Sequence, residues 1–452
     1  MIFKSINPYT LETFLEHQLD SNIQIDNKLN LANSAYLKWK NTSFEYRSEC
    51  LIKAASIFRR DKEIVAQMIT AEMGKIINES RAEVEKSATN LEYYAQNAAT
   101  FLEDTVVDMS LYKSVISYDS IGTVFAIMPW NYPIWQVLRY VAPCLMSGNT
   151  TILKHAPNVL GCAKLIEQIF LEAGIPEGVF QNVFIDVPQV EKIIAHNSVQ
   201  LVTLTGSEMA GSSVSSLAGK HIKKSILELG GSDAFIVLAD ANIEKAVQVA
   251  VNSRMMNAGQ ACICAKRFII EEAVSEEFVY MFHQKISELL QGDPLDENTN
   301  LGPLARIDLA NQLNNQLNES INQGANLIFG GEQDNCNFKP TLVTDVTENN
   351  TVFQEETFGP LAAITTCKNQ LEAVQMANNH RYGLATAIWT SDLENAYKLA
   401  RQIECGNVFV NSLVRSDSRI SFGGIKKSGY GRELGVLGIK ELTNVKSIII
   451  EN

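Results

Sequence analysis

A thiol and a carboxylate stand 34 positions apart in this chain, each in a setting that suits covalent chemistry. Cys262 lies in the stretch 257–267, N-A-G-Q-A-C-I-C-A-K-R. It follows Gly259 and Gln260 on a turn of small residues, so its sulfur can approach a carbonyl carbon with nothing bulky in the way, which makes it the candidate nucleophile. Glu228 ends an apolar, partly β-branched run, and Gly230 and Gly231 then stop the strand and let the backbone come near a ligand. A strand-end carboxylate facing a thiol can act as general base. Read singly, a free cysteine is a small buried hydrophobe, and a C-x-C such as Cys262 and Cys264 can be a metal or redox pair.

Other groups fit the same chemistry. In M-P-W-N-Y-P, Pro129 and Pro133 fix a turn that offers the Asn131 side-chain amide as a donor for the oxyanion that forms when a thiolate attacks a carbonyl. Gly206, Ser207 and Gly211 form G-S-x-x-x-G directly after the strand-like run L-V-T-L-T, where a helix N-terminus can receive a phosphate. Arg139 lies eight residues beyond Asn131, and a guanidinium there could clamp a distal carboxylate.

The elements that must position these groups are legible from periodicity. From Asn30 to Glu103 the apolar residues recur at helical spacing, with a break at Gly74. From Tyr112 the pattern turns β-rich and ends in the buried run I-G-T-V-F-A-I. Strands then alternate with helices, at T-T-I-L-K ending in Lys154, V-F-I-D around Val183 and L-V-T-L-T, which predicts a parallel, doubly wound sheet with ligands at the strand C-terminal ends. A chain of 452 residues exceeds one hydrophobic core and predicts two or more domains. A net charge of -13 disfavours nucleic acid and anionic membrane as partners. No secretory leader and no spanning helix is visible, so a cytoplasmic location is expected. The eight cysteines and six histidines are scattered, so no metal is assigned.

Taken together, E-L-G-G and N-A-G-Q-A-C, with W-N-Y-P, the G-S-x-x-x-G turn, Q-E-E-T-F-G-P at 354–360 and the glycine-rich 421–433, closely resemble the signatures of the aldehyde dehydrogenase superfamily over essentially the whole chain. The resemblance implies that fold: a Rossmann-like cofactor domain (1–107 and 123–228), an α/β catalytic domain (229–425), and a small β oligomerisation arm with a C-terminal strand (108–122 and 426–452). It implies Cys262 as nucleophile, Glu228 as base and Asn131 as oxyanion donor. For the cofactor it implies Trp130, Lys154, Gly206, Ser207, Gly211, Glu356 at the nicotinamide ribose and Phe358 near the ring.

The cofactor is NAD or NADP, because Pro157 stands where NAD-selective members commonly carry a glutamate for the adenosine ribose. W-Q-V-L-R, K-H-A-P-N-V and S-D-x-R further resemble bacterial succinate semialdehyde dehydrogenases. That implies Arg139 and Ser416 on the substrate carboxylate, with Met256 in place of a second arginine some members carry. In the family the arm pairs with the C-terminal strand region of another subunit, implying a homodimer or homotetramer, although a strand within its own sheet is also open. Two alternatives stand beside oxidation of succinate semialdehyde: another small aldehyde, such as glutarate semialdehyde or an aliphatic one, and a thiol redox role for Cys262 with Cys264.

Overall fold

The computed structural model describes residues 2–108 and 112–451. A hairpin of β1 (Ile2–Ile6) and β2 (Thr13–Gln18), which the sequence pattern does not announce, precedes four helices: α1 (Asn22–Trp39), α2 (Phe44–Arg60), α3 (Lys62–Met73) and α4 (Ile77–Phe101). One face of α4 buries Val84, Ala88, Leu91, Ala95 and Ala98 at intervals of three and four residues. That stripe fastens the helix to the core, and Leu91→Ala, which empties a fully buried position, costs about 2–5 kcal/mol.

After β3 (Thr105–Asp108) and β4 (Tyr112–Ser120) the chain alternates: β5 (Thr123–Met128), α5 (Trp135–Met146), β6 (Thr150–His155), α6 (Leu160–Glu172), β7 (Phe180–Asn182), α7 (Val190–Ala195), β8 (Val199–Thr205), α8 (Glu208–Lys220) and β9 (Lys224–Glu228). The sheet order is β9-β8-β5-β6-β7, all parallel, with Gly429–Tyr430 added antiparallel beside β9. The chain therefore reverses direction across the sheet between β5 and β8, and a switch point of that kind opens a crevice at the strand C-terminal ends. Trp130 follows β5 and Gly206 follows β8, so both stand at that crevice. One strand differs from expectation. The run V-F-I-D leaves the sheet after Val183, because the Asp20 carboxylate accepts the Phe184 N–H at 2.8 Å in place of a neighbouring strand.

A second sheet starts with β10 (Asp233–Val237), continues through α9 (Ile243–Met255) to β11 (Ala265–Glu271), and contains seven strands with β10 and β11 inside it. Glu228 ends β9 in the first sheet, and after the short link 229–232 Asp233 opens the second. Every residue of α5 is buried, Gln136 and Arg139 included.

The third sheet takes the second of the two pairings that the sequence leaves open for the arm. β4 pairs antiparallel with the C-terminal strand Thr443–Glu451 of the same chain, from Ser120 opposite Thr443 to Tyr112 opposite Glu451, and with β3 on its other side. The helix Gly435–Glu441 delivers that strand directly to β4, so no second subunit is needed for the pairing. Of the expected arm 108–122, residues 109–111 lie outside the described residues, as do Met1 and Asn452 at the ends of the expected units. Among the described residues no helix is long and apolar enough to cross a membrane, and no cluster of His, Cys, Asp and Glu could hold a metal ion.

Candidate active site

The cysteine loop is held by contacts that account for its unusual backbone. Past α9, Asn257, Ala258 and Gly259 all take left-handed conformations, with φ of 53°, 50° and 72°, and at Asn257 and Ala258 this costs free energy that the surrounding contacts must offset. A Cβ on Gly259 would lie 2.2 Å from the Gly359 carbonyl oxygen, so only glycine lets this loop close on the F-G-P loop. The buried Arg254 ties the two together, donating to Ala265 O at 3.1 Å, Thr357 O at 3.1 Å and Gly359 O. Gln260 accepts the Ala305 N–H at 2.9 Å and donates to Asn257 O at 3.1 Å. Lys266 Nζ donates to Cys262 O at 2.7 Å and Ala261 O at 3.0 Å, and pairs with Glu356 at 3.1 Å.

Asn131 is brought to this loop from the first sheet. Its Nδ2 donates to Gln260 O at 3.0 Å, which uses one amide proton and leaves the other for an oxyanion. Its main-chain oxygen accepts from Asn257 Nδ2 at 2.8 Å and from Lys75 Nζ at 3.0 Å. Lys75 in turn pairs with Glu83, both fully buried, and Glu83 accepts the N–H groups of Ile134 and Trp135 at 2.9 Å each. A buried pair repays its desolvation only when its remaining valences are met, and here they are met by the turn that presents Asn131.

Cys262 lines two cavities at once. The larger, about 960 Å³, is walled by Trp130, Asn131, Gly206, Ser207, Leu229, Gly230, Glu356 and Phe358 among others. Ser207 caps α8, accepting the Ala210 N–H at 3.2 Å. Trp130 and Phe358 meet edge to face at 5.7 Å. Glu356 lies against Gly230, where a Cβ would fall 2.3 Å from its Oε2, and accepts the Gly231 N–H at 3.2 Å. The second half of E-L-G-G thus makes room for a carboxylate 125 residues away. A cleft of this volume, lined by a capped helix N-terminus, an aromatic pair and the thiol, fits a dinucleotide. Gly211 and Lys154 are not among its lining residues. Gly211 packs on Leu229, whose side chain would meet a Cβ at 2.5 Å, so it serves helix-to-strand approach. Lys154 sits near the end of β6, one strand beyond β5, and is only partly exposed.

The smaller cavity, about 300 Å³, is walled on one side by Glu79, Ala82, Glu83 and Lys86 of α4, and elsewhere by Trp135, Arg139, Met256, Ile263, Arg415, Ser416 and Phe422. Arg139 reaches it from inside α5, but the expected free guanidinium clamp is already engaged. It forms an ion pair with Glu433, both residues buried, and its Nη2 donates to Thr205 at 3.2 Å. Ser416 accepts a hydrogen bond from Lys86 Nζ at 2.8 Å. Lys86, Glu433 and Lys266 were not legible as site residues in the sequence.

Electrostatics separate the two central groups. Cys262 is partly open to both cavities yet densely surrounded by protein, and burial pushes its thiol up to about 12, against the pull of Lys266 and Arg139. Glu228 is buried, lines neither cavity, and has no hydrogen-bond partner for either oxygen among the described residues. Burial first, then the neighbouring Glu433, holds its carboxyl well above the usual range, opposed by Arg139 and Arg432. Cys264 is fully buried, and its thiol faces Met256 O at 3.9 Å instead of either cavity.

Two α/β sheets with a cysteine set between a dinucleotide-sized cleft and a small second cavity define a cysteine-dependent dehydrogenase. The particular family follows from comparison: the chain belongs to the aldehyde dehydrogenase family, whose sequence pattern matches residues 1–448. It is 44% identical over 449 residues, 98% of this chain and 97% of the relative, to a succinate semialdehyde dehydrogenase [NAD(P)+] of Escherichia coli strain K12. It is likewise 44% identical over 456 residues, all of both chains, to a probable succinate-semialdehyde dehydrogenase [NADP(+)] of Synechocystis. Among solved structures, succinic semialdehyde dehydrogenase from Streptococcus pyogenes in complex with NADP+ superposes with a TM-score of 0.98 at 36% identity, covering 100% of each chain.

Proposed function

We propose that this enzyme oxidises succinate semialdehyde to succinate with NAD or NADP. The observation that carries the reading is the position of Cys262 between the cleft and a small cavity that the cations Lys86 and Arg139 also line. In this reading the Cys262 thiol gives up its proton to water in the cavity as its sulfur adds to the aldehyde carbon, and the second amide proton of Asn131 holds the resulting oxyanion. A nicotinamide dinucleotide, when bound along the cleft, supplies the hydride acceptor, with Gly206, Ser207, Glu356, Phe358 and Trp130 as the residues that hold it. Hydride loss leaves a thioester on Cys262. Glu228, without a hydrogen-bond partner among the described residues, turns toward it, takes a proton from water, and the hydroxyl so generated displaces the thiolate as the acid forms.

Both cofactors fit, because the exposed Pro157 brings no carboxylate to repel a 2′-phosphate. The units 1–107 with 123–228, 229–425, and 108–122 with 426–452 are proposed as domains, which agrees with β9 ending the first sheet at Glu228. A homodimer or homotetramer is proposed on the exposed Ile448, Ile449 and Ile450 of the C-terminal strand, together with a cytoplasmic location.

Steady-state kinetics with succinate semialdehyde, glutarate semialdehyde and butanal, each with NAD and NADP, test the reading. A clear kcat/KM preference for succinate semialdehyde supports it. Equal kcat/KM for succinate semialdehyde and butanal overturns it in favour of a general aldehyde dehydrogenase.

A further inference from the structure

We propose that the distal carboxylate of the substrate is received by Lys86, with Ser416 as the hydroxyl that holds and shares its ammonium. The proposal deepens the functional reading above and rests on it. Glu79, Ala82, Glu83 and Lys86 line the smaller cavity at the i, i+3, i+4, i+7 positions of α4, so a single helix face forms one wall and places Lys86 one or two turns along from the residues that fix the Asn131 turn. The ammonium donates to Ser416 at 2.8 Å and lies 4.0 Å above the Trp135 ring. An ammonium held over an aromatic face is positioned without being neutralised.

The remaining charges at the cavity favour Lys86 over its neighbours. Among the described residues, no carboxylate stands within ion-pair distance of Lys86. Arg139, by contrast, already has Glu433 as its counter-ion and Thr205 as an acceptor, so a substrate carboxylate would have to compete with a buried one. Glu83 is committed to Lys75 and two backbone N–H groups. Glu79 accepts the Asn257 N–H at 2.9 Å and is raised by burial to about 7, which weakens its opposition to an incoming anion near neutrality. Arg415 also lines the cavity and is exposed like Lys86, but among the described residues no hydrogen bond or aromatic ring holds its guanidinium in place.

Lys86 itself is accessible through the cavity while protein crowds it. That crowding, together with Arg139, lowers its pKa to about 8, against Glu83, Asp417 and Cys262. A cation under that pressure gains from an arriving carboxylate. Arg139 then acts as a positioning residue: it holds Glu433 and tempers Glu228, both of which bear on its own charge.

The test compares wild type, Lys86→Met, Lys86→Arg and Arg415→Met by the ratio of kcat/KM on succinate semialdehyde to kcat/KM on butanal. Lys86→Met is expected to lower that ratio by about tenfold to a hundredfold, the range of one lost charge-assisted hydrogen bond. Lys86→Arg is expected to recover most of it, and Arg415→Met to change it less than threefold. A ratio unchanged in Lys86→Met while wild type prefers succinate semialdehyde overturns the Lys86 assignment and leaves the functional reading standing. Equal losses on both aldehydes in Lys86→Met overturn it too, as does a fall confined to Arg415→Met. A wild type with no preference overturns both readings together.

Discussion

Lys75 and Glu83 form an ion pair that solvent does not reach, and the turn carrying Asn131 hangs from it. Glu83→Ala strands the Lys75 ammonium and two backbone N–H groups. The expected loss is about 3–5 kcal/mol of folding stability, read as a lower urea midpoint. The double change Lys75→Met with Glu83→Leu should regain part of it, since an apolar pair of similar volume avoids the buried charge. A single-variant loss below about 1 kcal/mol would show that water reaches the pair in solution.

The two central groups separate kinetically. Cys262→Ala should abolish aldehyde oxidation, while Glu228→Ala should slow thioester hydrolysis and leave cofactor binding intact, seen as a burst of reduced cofactor followed by a slow steady state. Because the Glu228 carboxyl is raised in the folded enzyme, it can accept a proton only as pH climbs through that raised value, so hydrolysis should accelerate with pH. Stability runs the other way. The folded state holds the proton more tightly than the unfolded one, so the carboxyl's favourable term is complete below the ordinary glutamate range and is lost as pH rises through the folded value. Glu228→Gln should therefore raise Tm more at pH 8 than at pH 5, and an equal change at both would contradict the shift.

For Arg139 the structure changes what the sequence alone suggests. Its guanidinium separates the carboxyls of Glu433 and Glu228 electrostatically. Removing it in Arg139→Ala leaves two buried acids with Arg432 alone to oppose the shift of Glu228, which should rise further. Turnover should fall on succinate semialdehyde and butanal alike, with the pH at half-maximal kcat moved upward. A loss restricted to succinate semialdehyde, with an unmoved pH profile, would return Arg139 to the role of carboxylate clamp.

Cys264 carries the redox alternative. Its thiol is sealed from both cavities and turned toward Met256 O, and burial raises its pKa, which disfavours thiolate chemistry. After mild peroxide, wild type and Cys264→Ala should lose activity and regain it with dithiothreitol to the same extent. A smaller regained fraction in Cys264→Ala would assign it as the resolving thiol.

Most of the chemistry at Cys262 is legible in the sequence because its demands are local. Gly259 and Gly230 are required by close approaches that any other side chain would block, and Pro129 and Pro133 mark the turn at Asn131. What escapes the sequence is long-range charge pairing. Lys86 and Ser416 are 330 residues apart, and on α4 a lysine at helical spacing reads as a solvated face. Glu433 reads as the end of a glycine-rich loop until Arg139 is seen beside it. Arg139 itself is legible as a residue type but not as a committed partner, since nothing in W-Q-V-L-R says that the whole of α5 is buried. The hairpin β1–β2 escaped for a different reason: its alternation is short and its exposed Ile2, Ile6 and Phe14 blur the pattern.

Cys262 occupies a wall with an opening on each side, so the two reactants do not share a doorway. An aldehyde can arrive and its acid can retreat through the smaller opening while the nucleotide stays seated in the other. Product traffic should show this division: succinate is expected to inhibit competitively against the aldehyde, and reduced nucleotide competitively against its oxidised form. Each product thus guards only its own door, and a rising pool of acid would slow the enzyme without loosening its grip on the nucleotide.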